Sequence, residues 1–524
     1  MAQENGAKTK KTEDDSDKSS PTDKPLIVIA SNRGPFSFKQ SENGELTHTR
    51  GQGGLVTALA GVAEKHDVLW VACALSEADE AWAKQHNDQP QDIDGTTLQL
   101  VRVDTDRFNQ YYNQIANPLL WFLHHQLWDT PRQPTFDGNL WDAWYDGYVA
   151  VNKQIAEVIA ESVKDYDGPV VIFPQDYHLY MVPKFLRELL GDKVQIQHFL
   201  HIPWPGPDAW RLLPSEIRDA IFTSFLNCDR IGFQTKRDAF NFVQTCRFYM
   251  PDAHYYGSRD TIDYEGRKVR AIAYPISIDV EKLETMAAST EIELHKSRVI
   301  NIVGDRKVIL RVDRIEPSKN ILRGFQAFRE LLERFPEHRG KVQMLALLVP
   351  SRLDVKEYFT YLQEVTAEVG LINAQFSDAL WEPIRMILGN NYQRAIAAFQ
   401  IYDILMVNPI TDGMNLVAKE GALVNQRDGV LLLSEYAGAF YELGDNALVV
   451  SPFDIYKTAQ AMHDALKMPM AEREKMATAL RKQVQGAGVK AWFNNQLTDA
   501  LNAFKNQSKK SSTPVTPSTK KSEA

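Results

Sequence analysis

Cysteine and long apolar runs are scarce in this sequence. Its 524 residues include three cysteines, Cys73, Cys228 and Cys246, whose spacing fits neither a disulfide framework nor a thiolate metal site and favours a reducing cytoplasm. No apolar run approaches the ~18 residues that a membrane span needs, and the polar, charged N-terminus does not resemble a secretion signal. We therefore expect a cytoplasmic protein that contacts no membrane and holds no metal or other cofactor.

An excess of positive charge is also missing. Lysine and arginine total 59 against 68 aspartate and glutamate residues, a formal net charge of −9. This balance argues against a nucleic-acid partner but allows a local basic pocket for a phosphorylated small molecule. The hydrophobic fraction of 44% is ordinary for a globular protein, and the length predicts about two to four domains. This composition is compatible with a homo-oligomer.

Two terminal segments lack the apolar residues that a folded core requires. Residues 1–24 contain no aromatic side chain, and residues 505–524 are rich in Ser, Thr, Pro and Lys. We expect both to be disordered tails, because they cannot bury enough apolar surface to offset the entropy of ordering. For the second tail, a solubilising role competes with that of a basic anchor for acidic surfaces.

Between the tails, apolar runs of strand length alternate with helical periodicity. This alternation predicts buried parallel strands in βαβ units, an α/β fold with two sheets. A polar stretch at 279–305 separates two series of runs and divides the chain into domains at 25–280 and 281–485; we expect a helix at 486–504 to pack back on the first domain. The predicted strands lie at residues 26–30, 170–173, 195–203, 230–233 and 270–276, and then at 307–312, 342–350, 403–409, 429–435 and 447–452.

Two turns combine features that suit an anion at a helix N-terminus. Gly53 and Gly54 lie in a turn that opens a helical pattern, although the turn matches neither a Walker loop nor a GxGxxG fingerprint, and a plain tight turn explains it equally well. Arg314 and Lys319 flank the turn before a helix predicted from Asn320. Two cations there would suit a diphosphate, with surface charge near a helix cap as the alternative.

The segment Thr411–Glu420 combines an anion site with an acidic residue. Asp412 begins a turn, and the helix that starts near Asn415 offers its first N–H groups to an anion. Glu420 lies one turn further along, where its carboxylate could accept hydrogen bonds from a ribose. A carboxylate beside a phosphate site would repel a ligand that consists of phosphate alone. The pattern therefore indicates a nucleotide, which carries both phosphate and ribose hydroxyls.

Polar and aromatic residues near the ends of predicted strands complete the set. Asp176 follows the strand at 170–173, and His201 ends the run at 195–203. Each alone is more often a loop-capping or buried structural residue, but their shared placement at strand ends favours a ligand site. Tyr112 and Trp121 could stack on a sugar face, whereas a place in the core is the default for Trp121.

Taken together, these motifs resemble a known family. SNRGP, RGQGGL, YYNQIANPLLW, QDYHL, FLHIPWP, DRIEPSKN, PSRLDV and DGMNLVAKE occur in this order and are similar to the retaining glycosyltransferases of the trehalose-phosphate synthase family, over about residues 25–504. The resemblance implies the GT-B fold, in which two Rossmann-like domains face each other across a cleft. It also implies glucosyl transfer from a nucleoside-diphosphate glucose, in the first place UDP-glucose, to glucose 6-phosphate, giving α,α-trehalose 6-phosphate.

The resemblance assigns a role to each candidate residue. Arg314, Lys319, His201 and Asp412 would carry the reaction, the last two by holding the donor glucose. The acceptor would bind to Arg33, Tyr112, Trp121, Asp176 and Arg352. The donor nucleotide would bind to Gly53, Gly54, Arg314, Lys319, Tyr392, Met414, Asn415, Leu416, Val417 and Glu420. Because no pair of carboxylates suits a two-carboxylate glycosidase, a front-face mechanism is expected, with the leaving phosphate accepting the acceptor's proton.

Three stretches depart from the family pattern and keep alternatives open. The segments 69–76 and 202–208 differ from most members, and Gln175 stands where histidine often precedes the aspartate. Similar departures occur in enzymes that couple cyclitols, so a pseudo-glycosyltransferase, or a glucosylglycerol-phosphate synthase type with another phosphorylated acceptor, is the first alternative. A non-catalytic sugar-phosphate sensor is the second, and the presence of Arg33, Arg314, Lys319 and Glu420 argues against it.

Overall fold

Two β-sheets organise the chain, and each gathers one of the two series of apolar runs. The structure is a computed structural model that describes residues 24–51, 67–255, 260–486 and 488–511, with side chains up to residue 504. The predicted phosphate turn at Gly53 and Gly54 lies outside the described residues, as do residues 1–23 of the first predicted tail and 512–524 of the second. Among the described residues, no helix combines the length and apolar character that a membrane crossing requires.

Within the described residues, the first sheet has nine strands in the order β10-β11-β9-β8-β7-β1-β4-β6-β5, with a separate β2–β3 hairpin. Its seven inner strands are parallel, and the edge strands β5 and β10 are antiparallel to their neighbours. The central strand β1 pairs with β4 from Leu26 opposite Asp67 and with β7 from Leu26 opposite Val170. The strands span Leu26–Arg33 (β1), Phe36–Gln40 (β2), Leu46–Arg50 (β3), Asp67–Cys73 (β4), Gln91–Ile93 (β5), Thr96–Val101 (β6), Val170–Pro174 (β7), Val194–Phe199 (β8), Arg230–Phe233 (β9), Thr261–Tyr264 (β10) and Arg267–Ala273 (β11).

In the part of the chain that the structure describes, the second sheet has six parallel strands in the order β14-β13-β12-β15-β16-β17. Its two longest strands, β12 and β13, pair over nine residues from Lys307 opposite Val342. Both faces of such a sheet are covered by helices, which explains why its strands read as continuous apolar runs. The strands span Lys307–Ile315 (β12), Val342–Pro350 (β13), Ile384–Leu388 (β14), Ile404–Val407 (β15), Val430–Ser434 (β16) and Leu448–Val450 (β17).

Helices connect the strands and cover both sheets. The longer ones bury an apolar stripe, as in Ile321–Arg334, where Phe325, Phe328 and Leu332 are fully buried. The α-helices span Glu77–Gln85 (α1), Thr105–Asn109 (α2), Trp121–His124 (α3), Gly138–Asp142 (α4), Ala150–Val163 (α5), Val182–Leu190 (α6), Ser215–Phe225 (α7), Lys236–Tyr249 (α8), Val280–Ala287 (α9), Thr290–Val303 (α10), Ile321–Arg334 (α11), Lys356–Phe376 (α12), Tyr392–Phe399 (α13), Leu416–Val424 (α14), Phe440–Leu443 (α15), Ile455–Lys467 (α16), Met470–Gln485 (α17) and Val489–Ser511 (α18). Helical turns of π type span Gln110–Leu120 and Ala143–Val149, and 3-10 turns span Tyr177–Leu179, Gly191–Lys193, Pro207–Leu212, Pro317–Lys319, Pro336–His338 and Gly444–Asn446.

Each of the ten apolar runs overlaps an observed strand, but some limits differ. The run predicted at 195–203 ends as a strand at Phe199, because the chain turns away towards the prolines at 203, 205 and 207. Strands such as β4 and β6 were not predicted, although β4 is almost entirely buried. The polar stretch at 279–305, which separates the two series of runs, forms helices α9 and α10.

The last helix returns to the first domain. In α18, Phe493 contacts Phe173 of β7 with ring centroids 5.0 Å apart, and Trp492 meets Phe199 of β8 edge to face at 4.9 Å. Gln197 Nε2 also donates to Gln496 Oε1 at 3.1 Å. This helix continues to Ser511, past the predicted start of the tail at residue 505. Residues 505–511 include three lysines and one glutamine, which are good helix formers, so the polar composition there does not end the helix.

Candidate active site

A cleft of about 820 Å³ opens between the carboxyl ends of the two sheets. In α/β folds these ends are where ligands bind, since loops that follow the strands converge there. The first domain lines the cleft with Ser31, Asn32, Arg33, Tyr112, Asn113, Gln175, Asp176, His178, His201, Gln234 and Ile276. The second domain lines it with Arg314, Lys319, Pro350, Ser351, Arg352, Asp354, Asp412, Met414, Asn415 and Leu416.

An ion pair between Lys319 and Asp412 lies at the centre of the second domain's wall. The Lys319 ammonium contacts one Asp412 oxygen, which also accepts a hydrogen bond from Asn415 Nδ2 at 3.0 Å. Burial by itself would raise the pKa of Asp412, but the Lys319 charge and these hydrogen bonds outweigh it, so that pKa lies below its usual value. Asp412 is therefore a carboxylate at neutral pH, held in a fixed orientation towards the cleft.

A buried carboxylate, Glu316, links two cleft arginines. Its Oε1 lies 3.1 Å from Arg314 Nη1 and 3.4 Å from Arg352 Nη1, and it accepts a hydrogen bond from Ser351 Oγ at 3.1 Å. The Glu316 side chain is fully buried, and burial opposes its charge, but the two guanidinium groups outweigh this effect and lower its pKa. Glu316 thus orients one arginine near the end of β12 and one in the loop that follows β13.

Arg352 is the most constrained of the cleft cations. Its Nη1 donates to Tyr358 Oη at 2.7 Å and its Nη2 donates to Tyr177 Oη at 3.1 Å. The guanidinium carbon lies 4.4 Å from the ring centroid of Trp121, a cation–π distance. Trp121 itself is 5% exposed and does not line the cleft. Its position indicates a platform beneath Arg352 rather than a surface that a sugar could cover.

The tip of helix α14 faces the same cleft. Asn415 adopts a left-handed conformation (φ 73°) and caps the helix, its side chain accepting a hydrogen bond from the Ala418 N–H. Met414, Asn415 and Leu416 line the cleft beside it. The free N–H groups of a helix's first turn attract an anion, so this wall combines helix-tip donors with the cations Lys319 and Arg314.

One turn along α14, Glu420 meets Tyr392. The Tyr392 hydroxyl donates to Glu420 Oε1 at 3.0 Å. Burial raises the pKa of Glu420 to about 7, and the tyrosine hydrogen bond opposes only part of that rise. Neither side chain is part of the lining of the central cleft, and Glu420 lies within α14, four residues after its first residue Leu416.

The first domain supplies Asp176 and His201 from neighbouring strand ends. Asp176 has a positive φ of 69°, and its carboxylate accepts a hydrogen bond from the His201 backbone N–H at 3.2 Å. Burial raises the pKa of Asp176 to about 6, although backbone hydrogen bonds and nearby arginines oppose the rise. A strained backbone at a cleft residue is typical of functional positions. Arg33 ends β1, and Tyr112 stacks on His178 with centroids 5.6 Å apart.

Gly413 brings the two domains into backbone contact. A Cβ atom at this position would lie 1.9 Å from the His201 carbonyl oxygen. A Cβ atom at Gly438 would in turn lie 1.8 Å from the Gly413 carbonyl oxygen. Only glycine permits this close approach of three backbone segments, which places the backbone of His201 against the residue that follows Asp412.

The structure therefore brings most of the predicted residues together. Arg33, Tyr112, Asp176, His201, Arg314, Lys319, Arg352, Asp412, Met414, Asn415 and Leu416 share one cleft, while Val417 lies in the first turn of α14 and Trp121, Tyr392 and Glu420 lie outside the lining. The sequence did not single out Glu316, Tyr177 or Tyr358. Glu316 was visible between Arg314 and Lys319, but no sequence signal pairs Tyr358 with Arg352.

The family model for glycosyltransferase family 20 matches residues 25–502. The chain belongs to glycosyltransferase family 20. Several curated relatives of this family 20 chain carry the name UDP-forming α,α-trehalose-phosphate synthase, and two of them illustrate the similarity. The Schizosaccharomyces pombe protein is 32% identical over 475 residues, covering 89% of this chain and 88% of the relative. The Candida albicans protein is 33% identical over 470 residues, covering 88% and 95%.

Solved structures agree with the family assignment. A trehalose-6-phosphate structure from E. coli bound with UDP-2-fluoro glucose has a TM-score of 0.79 and 27% identity, covering 91% of this chain and 98% of that chain. The UDP-forming α,α-trehalose-phosphate synthase of Burkholderia xenovorans in complex with glucose-6-phosphate has a TM-score of 0.77 and 28% identity, covering 91% and 99%. The family 20 chain is a glycosyltransferase with the GT-B fold, which confirms the α/β prediction of two Rossmann-like domains facing a cleft.

Proposed function

We propose that this family 20 glycosyltransferase moves glucose from UDP-glucose to glucose 6-phosphate, with retention, and forms α,α-trehalose 6-phosphate. The observation that carries the proposal is a single cleft lined by the cationic side chains of Arg33, Arg314, Lys319 and Arg352. Lys319 is linked through Asp412 to Asn415 at the tip of α14, whereas Arg352 is held by Tyr177 and Tyr358. A diphosphate donor and a phosphorylated acceptor together need several cations in one cleft. The relatives' names and bound molecules support the same pair of substrates.

On the donor side, the diphosphate would lie against Arg314, Lys319 and the tip of α14. The N–H groups of Asn415, Leu416 and Val417 would share its charge, together with the turn at Gly53 and Gly54. Glu420 would bind the ribose, and Tyr392, which holds Glu420, would stand towards the base. Asp412 and His201 would hold the transferred glucose, one from each domain.

On the acceptor side, Arg33 and Arg352 would bind the phosphate. Tyr112 would contact the acceptor directly, and Asp176 would accept hydrogen bonds from its hydroxyls. Trp121 would act through Arg352, on which it stacks, and this replaces the direct acceptor contact that the family resemblance implies. Glu316 would fix the distance between the Arg352 and Arg314 guanidinium groups. It would thereby fix the separation between the acceptor phosphate and the donor diphosphate.

In the reaction, the bond between glucose C1 and the diphosphate oxygen breaks while C1 bonds to the acceptor hydroxyl oxygen on the same face. The hydroxyl proton passes to the leaving diphosphate oxygen. The main task of the protein is then to stabilise the negative charge on the leaving group, for which fixed cations and helix-tip donors are suited. The Asp412 carboxylate is held by Lys319 and Asn415, an arrangement that favours binding of the glucose over attack on C1.

The direct test is a matrix of donors and acceptors. UDP-, GDP- and ADP-glucose are each incubated with glucose 6-phosphate, a phosphorylated cyclitol and glycerol 3-phosphate, and the products are analysed by mass and anomeric configuration. We expect an α,α-linked disaccharide phosphate from UDP-glucose and glucose 6-phosphate. Product only with a non-glucose acceptor would favour the coupling enzymes, and binding without nucleotide release would favour a sensor.

A pH dependence of donor binding follows from Glu420. Its pKa of about 7 means that the carboxylate, the better acceptor for ribose hydroxyls, is lost as pH falls through 7. At saturating acceptor, the KM for UDP-glucose should therefore rise by about tenfold towards lower pH. In Glu420→Gln the amide does not titrate, so KM should be higher than in the wild type at alkaline pH but nearly flat across the range. A wild-type KM that is independent of pH would contradict the ribose role.

A further inference from the structure

A buried amide, that of Gln175, faces the imidazole of His201. Gln175 is 3% exposed, and its backbone N–H donates to the Ala30 carbonyl at 2.8 Å. Its side-chain Nε2 donates to the Phe173 carbonyl at 3.2 Å, and its Oε1 lies 3.0 Å from His201 Nε2. The carbonyl of Phe173 can only accept, so the amide nitrogen must point to it and the amide oxygen must point to His201.

This orientation decides where the imidazole carries its proton. An amide oxygen has no hydrogen to give, so His201 Nε2 must be the donor in the 3.0 Å contact. Burial lowers the pKa of His201 to about 4, and the ring is therefore neutral at physiological pH with a single N–H. That hydrogen resides on Nε2, which leaves Nδ1 with a lone pair.

The Nδ1 atom is available to a ligand. Among the residues that the structure describes, no protein group hydrogen-bonds to it, and His201 lines the cleft. The ring is held from two other sides by Phe199, at a centroid distance of 4.8 Å, and by Trp492 of the C-terminal helix at 5.9 Å. The His201 backbone is fixed separately through its N–H bond to Asp176.

We propose that Gln175 is a positioning residue that fixes His201 as the Nε2–H tautomer, so that Nδ1 accepts a hydrogen bond from a hydroxyl of the sugar in the cleft. The proposal rests on the proposed function, because it takes a sugar as the occupant. The opposite tautomer, or an imidazolium, would present a donor to the sugar and would lose this bond.

Other titratable groups surround His201, and none of those described favours an imidazolium or the Nδ1–H tautomer. On its own domain these are Asp176, which meets its backbone N–H, and His198 on β8, which burial also keeps neutral by lowering its pKa to about 3. Across the cleft, the second domain presents Arg314, Lys319 and Asp412. Lys319 and Asp412 neutralise each other. The C-terminal helix presents the uncharged Trp492 to the ring.

Two substitutions of Gln175 separate hydrogen bonding from packing. Gln175→Met keeps the length of the side chain but removes the acceptor, whereas Gln175→Glu keeps an acceptor at the same place. The first readout is the ¹⁵N signature of His201 in the ligand-free, histidine-labelled enzyme. We expect an Nε2–H tautomer in the wild type and in Gln175→Glu, and a mixture of tautomers in Gln175→Met. The carboxylate should also raise the pKa of His201 in Gln175→Glu by about 1 or more.

The second readout is turnover with UDP-glucose and glucose 6-phosphate. We expect kcat to fall about tenfold in Gln175→Met, with little change in the KM for glucose 6-phosphate, and to stay close to wild type in Gln175→Glu at alkaline pH. Gln234→Met is the matched control. Gln234 is 2% exposed and lines the same cleft, but its amide oxygen accepts from the Ile276 N–H at 3.0 Å and not from His201, so the His201 signature should not change.

The outcomes separate a failure of this tautomer proposal from a failure of the proposed function. A proton on Nδ1 of His201 in the wild type would overturn it even if Gln175→Met failed to fold. An unchanged tautomer in folded Gln175→Met, or a changed tautomer with unchanged kcat, would also overturn it. Absence of the disaccharide phosphate with an Nε2–H signature in place would count against the proposed function instead.

Discussion

Arg314→Ala lowers kcat by about 100-fold or more while the protein remains folded. The guanidinium is expected to stabilise charge on the departing diphosphate, and this charge is largest in the transition state, so kcat falls more than substrate affinity. The melting temperature should fall moderately, because the Arg314 side chain is 50% exposed but its partner Glu316 is fully buried and then keeps only the Arg352 guanidinium to balance its charge. Steady-state kinetics and the melting temperature together check the expectation.

A matched control for Arg314 is Arg385→Ala. Arg385 is 53% exposed and pairs with a nearby glutamate, Glu382, but it does not line the cleft; its loss should leave kcat unchanged. Lys319→Ala should lower kcat to a similar extent as Arg314→Ala, with a lower melting temperature as well, because the Asp412 carboxylate then loses its ion-pair partner. Near-normal turnover in both Arg314→Ala and Lys319→Ala would refute the donor site.

Gly413→Ala should abolish most of the activity because the added methyl group displaces the backbone and removes no functional side chain. The added methyl group would lie 1.9 Å from the His201 carbonyl oxygen, so the two domains must separate locally by more than 1 Å to admit it. A displacement of about 1 Å between groups from the two domains can cost about 100-fold in rate, and we expect at least that loss in kcat/KM. Each domain keeps its own core, so far-UV circular dichroism should remain native.

The control for Gly413 is another Gly→Ala substitution without a steric conflict. Gly138 begins helix α4, and a Cβ atom there would meet no heavy atom within 4 Å. Gly138→Ala should therefore retain wild-type kinetics. Should Gly413→Ala prove as active as Gly138→Ala, the contact between the domains at this glycine would be irrelevant to catalysis.

Much of the site was predictable because its residues follow strands or begin helices. Asp176 follows β7, Arg314 lies near the end of β12, and Asn415 caps α14. Strand ends and helix tips can be recognised in a local sequence, and parallel strands bring their carboxyl ends to one edge. Trp121 shows the limit of this reasoning, since its local pattern allowed both a sugar platform and a core residue, and the structure places it beneath Arg352.

Contacts between distant segments were beyond prediction. Tyr177 lies 175 residues from Arg352, yet its hydroxyl accepts a hydrogen bond from the Arg352 guanidinium. Likewise, the 3.0 Å contact that fixes the His201 proton joins two strand ends 26 residues apart. A pattern of residue types does not specify which polar atoms meet across a cleft, because that depends on how the domains pack.

By itself, the sequence determined the α/β class, the two series of strands and most of the residues that line the cleft, because periodicity, strand-end motifs and helix starts are encoded locally. The tertiary structure decided how these loops are combined. Glu316 links Arg314 to Arg352, Trp121 supports Arg352 from below, and Gly413 sets the spacing between the domains. The physical reason is that burial and orientation of a charge arise from residues far apart in the chain, which meet only when both domains have folded and packed together.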